Sequence, residues 1–297
     1  MKLRAGAAMI AVFGVVPVAA QQKVPLVLNH LAIVIDSATY HDVRHSPLFR
    51  GEFAAMDTSY FTSAEFTGTT RLFGKYNYLA IVKPEAYGAW QVGDIGIALS
   101  TEVAGGLDVL ARDPTLVRMR RLAPETPVSP DRVEQEFARL FGGVQTVRLA
   151  GKDATSEHAR FEITQYPDGL IKLLAATDSL PPSNRSNARF LAHFYDPRKL
   201  LSYVSGATLA IPVDDIAKIV AVVTRDGVTV FAEGEGAIIK LDGFTLHLIP
   251  SFVGAGVRQL QFALTRTAVG NPIYRFGPKS QLRFGPGPIA VWDFTSQ

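Results

Sequence analysis

The chain has 297 residues, 47 per cent of them hydrophobic and 19 per cent charged, and it contains no cysteine. That balance describes a folded globular protein, and the missing cysteine excludes disulfides, thiolate metal sites and a cysteine nucleophile. The 30 basic and 27 acidic side chains form no Lys/Arg stripe with interleaved aromatics, which argues against a nucleic-acid partner.

The opening Met1-Lys2-Leu3-Arg4 is basic, Ala5 to Val16 is uncharged, and Pro17-Val18-Ala19-Ala20 places small residues at the sites a signal peptidase reads. Residues 1–20 are therefore expected to be a signal peptide, giving a periplasmic or secreted protein. The apolar run is too short to span a bilayer comfortably, so no stable membrane anchor is expected after its removal. Without Lys2 and Arg4 the balance is 28 basic to 27 acidic side chains.

Leu28 to Asp36 reads as a buried strand with Leu28, His30, Ala32 and Val34 on one face and Asn29, Leu31, Ile33 and Ile35 on the other. Ser37-Ala38-Thr39 offers an N-cap for a short helix over Tyr40 to Arg50, interrupted at Pro47. Strand composition follows over Phe53 to Phe66 and again over Lys75 to Lys83, which Pro84 closes. A similar order restarts at Asp94 to Ser100, with a short helical piece over Gly106 to Arg112 and an amphipathic helix over Asp131 to Phe141. Strands are predicted at Val144 to Ala150, Ala159 to Tyr166 and Arg189 to Tyr195, the last two separated by a loop containing Pro181 to Asn187.

The third round is the clearest. Thr208 to Asp214 repeats the Leu-Ala-Ile pattern of the first strand. A helix over Asp214 to Thr224 follows, then strands at Val228 to Ala232, Ala237 to Leu241 and Phe244 to Ile249. A fourth round starts at Arg258 to Thr265, omits the helix, and ends in a near-duplicated hairpin, Tyr274 to Pro278 and Leu282 to Pro286, before Ala290 to Phe294. The fold class is α+β, built from repeated β-α-β-β-β modules. The expected division is 1–20 signal peptide, 24–203 first lobe and 204–297 second lobe.

These repeated units, with Asn29-His30 in the first strand, Thr39-Tyr40 at the helix start and Gly74-Lys75-Tyr76-Asn77-Tyr78-Leu79-Ala80 in a later strand, resemble the vicinal oxygen chelate superfamily of glyoxalases, ring-cleaving dioxygenases and bleomycin-resistance proteins. They are most similar to its glyoxalase-like branch. The resemblance implies curved mixed sheets and a cup in which first and last strands of paired modules supply metal ligands. It implies metal-dependent lyase, isomerase or dioxygenase chemistry. Carried over, it assigns His30 and His193 as ligands of one divalent ion (Zn, Fe, Ni or Mn), with Ala80 and Gly96 standing where further ligands belong. A carboxylate such as Glu65, Glu85 or Glu102 would have to complete the set. Without a metal, the two imidazoles remain candidates for acid-base work.

Tyr76, Tyr78 and Tyr195 are the candidate ligand-binding residues, rings suited to a planar or apolar small molecule. His41 and His45 stand four apart on the outer helix and read as a surface pair. His247 is matched by Thr208, which makes a second metal cup improbable, and Arg275 and Arg283 recur in the terminal hairpin. The leading expectation is an exported protein that binds or transforms a small organic molecule in the cup. The alternative is a non-catalytic binding or interaction protein that kept the fold and lost the metal. Oligomeric state stays open.

Overall fold

The structure, a computed structural model, describes residues 23–57, 68–84, 86, 90–120, 144–149, 151, 154–176 and 186–294. The signal peptide expected over 1–20, the helix expected over Asp131 to Phe141, and the candidate carboxylates Glu65 and Glu85 lie outside them.

The first module runs β1 (Leu26–Val34), α1 (Ser37–His45), a π-helical segment (Leu48–Phe53), β2 (Ala55–Asp57), β3 (Thr69–Phe73) and β4 (Tyr78–Val82). The N-cap of α1 is Asp36 rather than the expected Ser37-Ala38-Thr39 stretch. Its carboxylate accepts from the Thr39 backbone N–H at 2.9 Å and the Thr39 hydroxyl at 2.6 Å. The helical stretch is interrupted at Pro47, as expected: Pro47 lacks an N–H and forces Ser46 into extended backbone, and a π-helical turn follows. The new segment projects Phe49 and Phe53 from one side.

The second module has β5 (Ile95–Thr101), α2 (Gly106–Leu110), β6 (Leu116–Arg120), β7 (Gln145–Leu149) and β8 (Ala159–Gln165). Among the described residues these eight strands form one sheet in the order β2-β3-β4-β1-β5-β8-β7-β6. The two modules join through antiparallel pairing of their first strands, β1 with β5, and each first strand pairs in parallel with its own module's last strand.

The second sheet contains β9 (Leu201–Ile211), α5 (Val213–Arg225), β10 (Thr229–Glu233), β11 (Gly236–Leu241), β12 (Phe244–Pro250), β13 (Gly256–Leu264), β14 (Ile273–Phe276), β15 (Ser280–Phe284) and β16 (Ile289–Phe294), in the order β10-β11-β12-β9-β13-β16-β15-β14. It repeats the strand order of the first, with β9 and β12 parallel, but its last module departs from the plan: β13 pairs with β16 antiparallel. As expected, no helix follows β13. Between the sheets in sequence come two further helices, α3 (Asp168–Ala175) and α4 (Ser186–Ala192). The strand expected over Arg189 to Tyr195 is therefore wrong. Adjacent Phe190 and Leu191 are both buried and both pack with Tyr166, Leu170 and Leu174, which a strand with alternating faces does not allow and a helix does.

One continuous apolar core serves both sheets, taking Leu31, Ile33 and Ile97 from the first and Leu209, Phe262 and Trp292 from the second. Phe49 inserts against Phe276 at 5.0 Å and Trp292 at 5.4 Å, and Phe53 meets Phe262 edge-on at 5.3 Å. The terminal hairpin turn docks on α1, where Asp42 accepts from the Gly277 N–H at 2.8 Å. On the opposite flank, buried Asp215 of α5 accepts from the Ser156 N–H at 3.0 Å and its hydroxyl at 2.6 Å, another bond between the two halves. Among the described residues no helix is long and apolar enough to cross a membrane.

Asp226 ends α5, where the negative pole of the helix disfavours a carboxylate. Burial pushes its carboxyl up to about 6; Arg225 pulls it down and Asp113 pushes it up. An acid whose folded pKa is raised contributes stability below its unfolded pKa and loses it as pH rises through the folded value. Asp226→Asn is therefore expected to stabilise by about 1 kcal/mol at pH 8, after discounting for its half-exposed position. The gain should nearly vanish at pH 4, and urea unfolding at the two pH values checks this.

Candidate functional site

β1 is interrupted where its chemistry begins. Its register against β5 shifts between Leu28 and His30, so Asn29 is a bulge. Before the bulge Leu26 and Leu28 face the shared core; after it Leu31, Ile33 and Ile35 do. Asn29 and His30 thus turn together to the other face, correcting the simple alternation read from the sequence.

On that face His30 stacks on Tyr78, its partner in register on β4, with ring centroids 4.5 Å apart. Its Nδ1 lies 2.8 Å from the Asn29 Oδ1. Asn29 Nδ2 donates to the Tyr166 hydroxyl and to the Asn187 Oδ1, each at 3.0 Å. With the Asn29 oxygen thereby placed as acceptor, the His30 Nδ1 is the donor of this bond. Asn187, buried on α4, donates through Nδ2 to the Tyr76 carbonyl at 2.5 Å and the Leu28 carbonyl at 3.2 Å, and its backbone N–H donates to Glu102 at 3.1 Å. One side chain so ties α4 to β1 and to the turn before β4.

The expected metal set does not assemble. Ala80 and Gly96 both stand in register with Ala32, two residues along from His30. They make room for Trp90, which packs with Ala32, Val34, Ala80 and Val82. A Cβ on Gly96 would lie 3.1 Å from the Ala32 Cβ and 3.3 Å from the Trp90 ring, leaving no space for a ligating side chain. Arg160 covers Trp90 with its guanidinium 4.6 Å from the ring centroid. In the row of His30, β5 offers Ala98 and β8 offers Glu162, which is held by Arg148 at 2.6 Å. His193 does not sit on a strand; it is exposed just past α4, its ring edge-on to Phe194 at 5.0 Å. Among the described residues no three His, Asp or Glu side chains lie together as a metal-binding group, so the described residues do not by themselves fit the ion the resemblance implies. The other end of this face is filled as well, with Phe194 stacked on Phe73 at 4.6 Å and Phe190 on Tyr166 at 4.5 Å.

The open space lies beside this network, where the two halves meet. A cleft of about 800 Å³ is lined by Lys75, Tyr76, Glu102, Tyr195, Tyr203 and Asp242, with Asn187 on its wall. Two of the three tyrosines named from sequence, Tyr76 and Tyr195, share it. Tyr78, His193 and His30 are not among its lining residues; His30 is linked to its wall through Asn29 and Asn187. Tyr76 meets Tyr203 edge-on at 5.5 Å, and the Lys75 ammonium lies 5.1 Å from the Tyr76 ring centroid. Burial pushes the Tyr195 phenol up, against the pull of Lys75 and a hydrogen bond with Ser202.

The turn Gly74–Asn77 builds the cleft by docking on the start of β9. The Lys75 N–H donates to the Ser202 carbonyl at 2.6 Å. The Asn77 side chain accepts from the Val204 N–H at 2.8 Å and donates to its carbonyl at 2.9 Å, standing in for a neighbouring strand. Sequence reasoning missed Lys75, Tyr203 and Asp242. The available signal was the polar Asn77 inside an apolar strand pattern.

The remaining histidines are engaged elsewhere, His158 with Asp94 at 2.7 Å. His41 and His45 lie 4.2 Å apart ring to ring on exposed α1, and His247, in register with Thr208, pairs with Glu233 at 2.5 Å. Arg283 is bidentate to Asp293, at 2.9 and 2.5 Å.

Fold and site together define an α+β protein of two repeat-built sheets with a tyrosine-lined cleft at their junction. Residues 28–294 match a family of unknown function, DUF5829, and the chain belongs to that family. No curated protein matches it. Among solved structures it is similar to a xylose isomerase-like TIM barrel/4-hydroxyphenylpyruvate dioxygenase fusion protein, at 12% identity and a TM-score of 0.47, over 86% of this chain and 40% of that one. It is also similar to a hypothetical protein from Staphylococcus aureus, at 10% identity and a TM-score of 0.44, over 77% and 87% of the two chains. A third is an extradiol ring-cleaving dioxygenase from B. fuscum, at 12% identity and a TM-score of 0.38, over 79% and 56%. The chain thus spans about two fifths of the first of these proteins and just over half of the third.

Proposed function

We propose that this protein is an exported binding protein for a small organic molecule, held in the cleft between its two sheets. The observation that carries the reading is the cleft: about 800 Å³, the size of small-molecule sites in general, with Tyr76, Tyr195 and Tyr203 offering flat apolar surface and hydroxyl groups. The packing of Trp90 against Ala80 and Gly96 favours binding over the metal-assisted chemistry that the family resemblance implies. Export rests on the basic, apolar, small-residue order of residues 1–20.

A thermal-shift panel of small planar molecules, namely phenols, aromatic carboxylates and aryl or alkyl ammonium compounds, tests the reading. At least one class is expected to raise the unfolding temperature of the full chain, with affinity falling tenfold or more in Tyr195→Ala. If no compound stabilises the protein, or if Tyr195→Ala binds as well as wild type, the reading fails. The enzymatic alternative draws on His30, whose ring is oriented by Asn29 through Nδ1. It would be favoured if a bound compound were turned over and His30→Ala stopped turnover without weakening binding.

A further inference from the structure

The charges and rings around the cleft narrow the class of ligand, on the premise that the cleft is the binding site. Lys75 is the one cation among the described lining residues, against the two carboxylates Glu102 and Asp242. Glu102 is held in place by the Asn187 N–H at 3.1 Å and the Ser100 hydroxyl at 3.2 Å, so its charge is anchored at the wall. Carboxylates on the wall of a cleft favour a cation over an anion. The rings add to the same preference, because the face of a tyrosine attracts ammonium groups within about 6 Å. The structure already contains an example: the Lys75 ammonium stands 5.1 Å from the Tyr76 centroid, while Tyr203 meets the same ring edge-on at 5.5 Å.

We propose that the cleft is selective for a small organic cation bearing a substituted ammonium group, and that the Lys75 side chain is a tethered competitor for the same tyrosine faces. The Lys75 stem is exposed and flexible, so its ammonium can swing into water when a ligand enters. Its backbone, held by Ser202, keeps the turn in place as it does so. A quaternary ammonium has the advantage over the lysine, since it sheds water at lower cost than a primary one.

The sign of one substitution separates this from the opposite assignment, in which Lys75 grips an anion. Binding of choline, its neutral isostere 3,3-dimethylbutan-1-ol, and benzoate is measured by calorimetry on the full chain and on Lys75→Met, with Tyr203→Leu as the ring control. Choline is expected to bind about tenfold tighter than the alcohol, to tighten severalfold in Lys75→Met, and to weaken about tenfold in Tyr203→Leu. Unfolding midpoints of the variants confirm that each is folded, and Lys75→Gln replaces Lys75→Met should the latter fail. If benzoate or the alcohol binds best, or if removing the Lys75 charge weakens choline, the cation assignment is overturned while a binding cleft stands. If none of the three binds, the assignment falls, and the broader panel decides whether the cleft binds small molecules at all.

Discussion

Gly74→Ala is expected to lower stability by about 3 kcal/mol and to loosen the junction between the two halves of the molecule. The reason is space. A Cβ at this position would lie 2.8 Å from the Asn77 carbonyl oxygen, the Ser202 carbonyl oxygen and the Tyr203 Cα, all of them backbone atoms. A flexible side chain can move aside from such a contact, but a paired turn and the start of β9 cannot. The Lys75 to Ser202 bond and the Asn77 clamp on Val204 sit at the same junction, so the strain falls on the bonds that place Tyr76 beside Tyr203. Thermal unfolding should show a midpoint lower by on the order of 6 to 12 °C, with weaker ligand binding in whatever class the cleft accepts. Gly51→Ala is the matched control, because nothing lies within 4 Å of its added carbon. Equal midpoints for the two variants would show that the junction tolerates a methyl group and that the close approach is unimportant.

Asn187→Asp should cost more than Asn187→Ala, about 3 kcal/mol or more at pH 8, although aspartate has nearly the shape of asparagine. The amide both donates and accepts: Nδ2 serves the Tyr76 and Leu28 carbonyls, and Oδ1 takes the Asn29 N–H. Alanine leaves those groups unpaired. A carboxylate keeps the acceptor role but sets negative charge against two carbonyl oxygens, that of Leu28 buried and that of Tyr76 partly so. The new acid should therefore have a raised folded pKa, and by the same linkage as for Asp226 its penalty should shrink as pH falls toward 4. Urea unfolding of both variants at pH 8 and pH 4 measures this. An aspartate variant as stable as wild type at pH 8 would show that Asn187 does not bridge the two carbonyls.

The repeat of β-α-β-β-β modules was legible because each strand carries its own period and the turns carry glycine, as in Val228 to Ile249. The absence of a helix in the fourth round was legible for the same reason. Tyr76 and Tyr195 were also found from sequence, the first through its place in the Gly74 to Ala80 motif, the second through a strand that does not exist. Tyr195 reaches the cleft because α4 turns the chain back over the sheet. Arg189 to Tyr195 fits a two-residue period and a helical one about equally, and only the joint burial of Phe190 and Leu191 against Tyr166 and Leu174 decides between them. The bulge at Asn29 was not legible, since an inserted residue in a strand looks like any other until its partners are known.

By itself the sequence determined most of the local elements and the repetition of modules, because period and side-chain chemistry are properties of the chain. The tertiary structure alone decided that Trp90 fills the space that Ala80 and Gly96 leave. It also decided that Asn29 and His30 share a face, and that Lys75, Tyr203 and Asp242 meet around one cleft. Those facts depend on register and on the docking of two halves, and residues more than a hundred positions apart leave no periodic trace of the contact they will make.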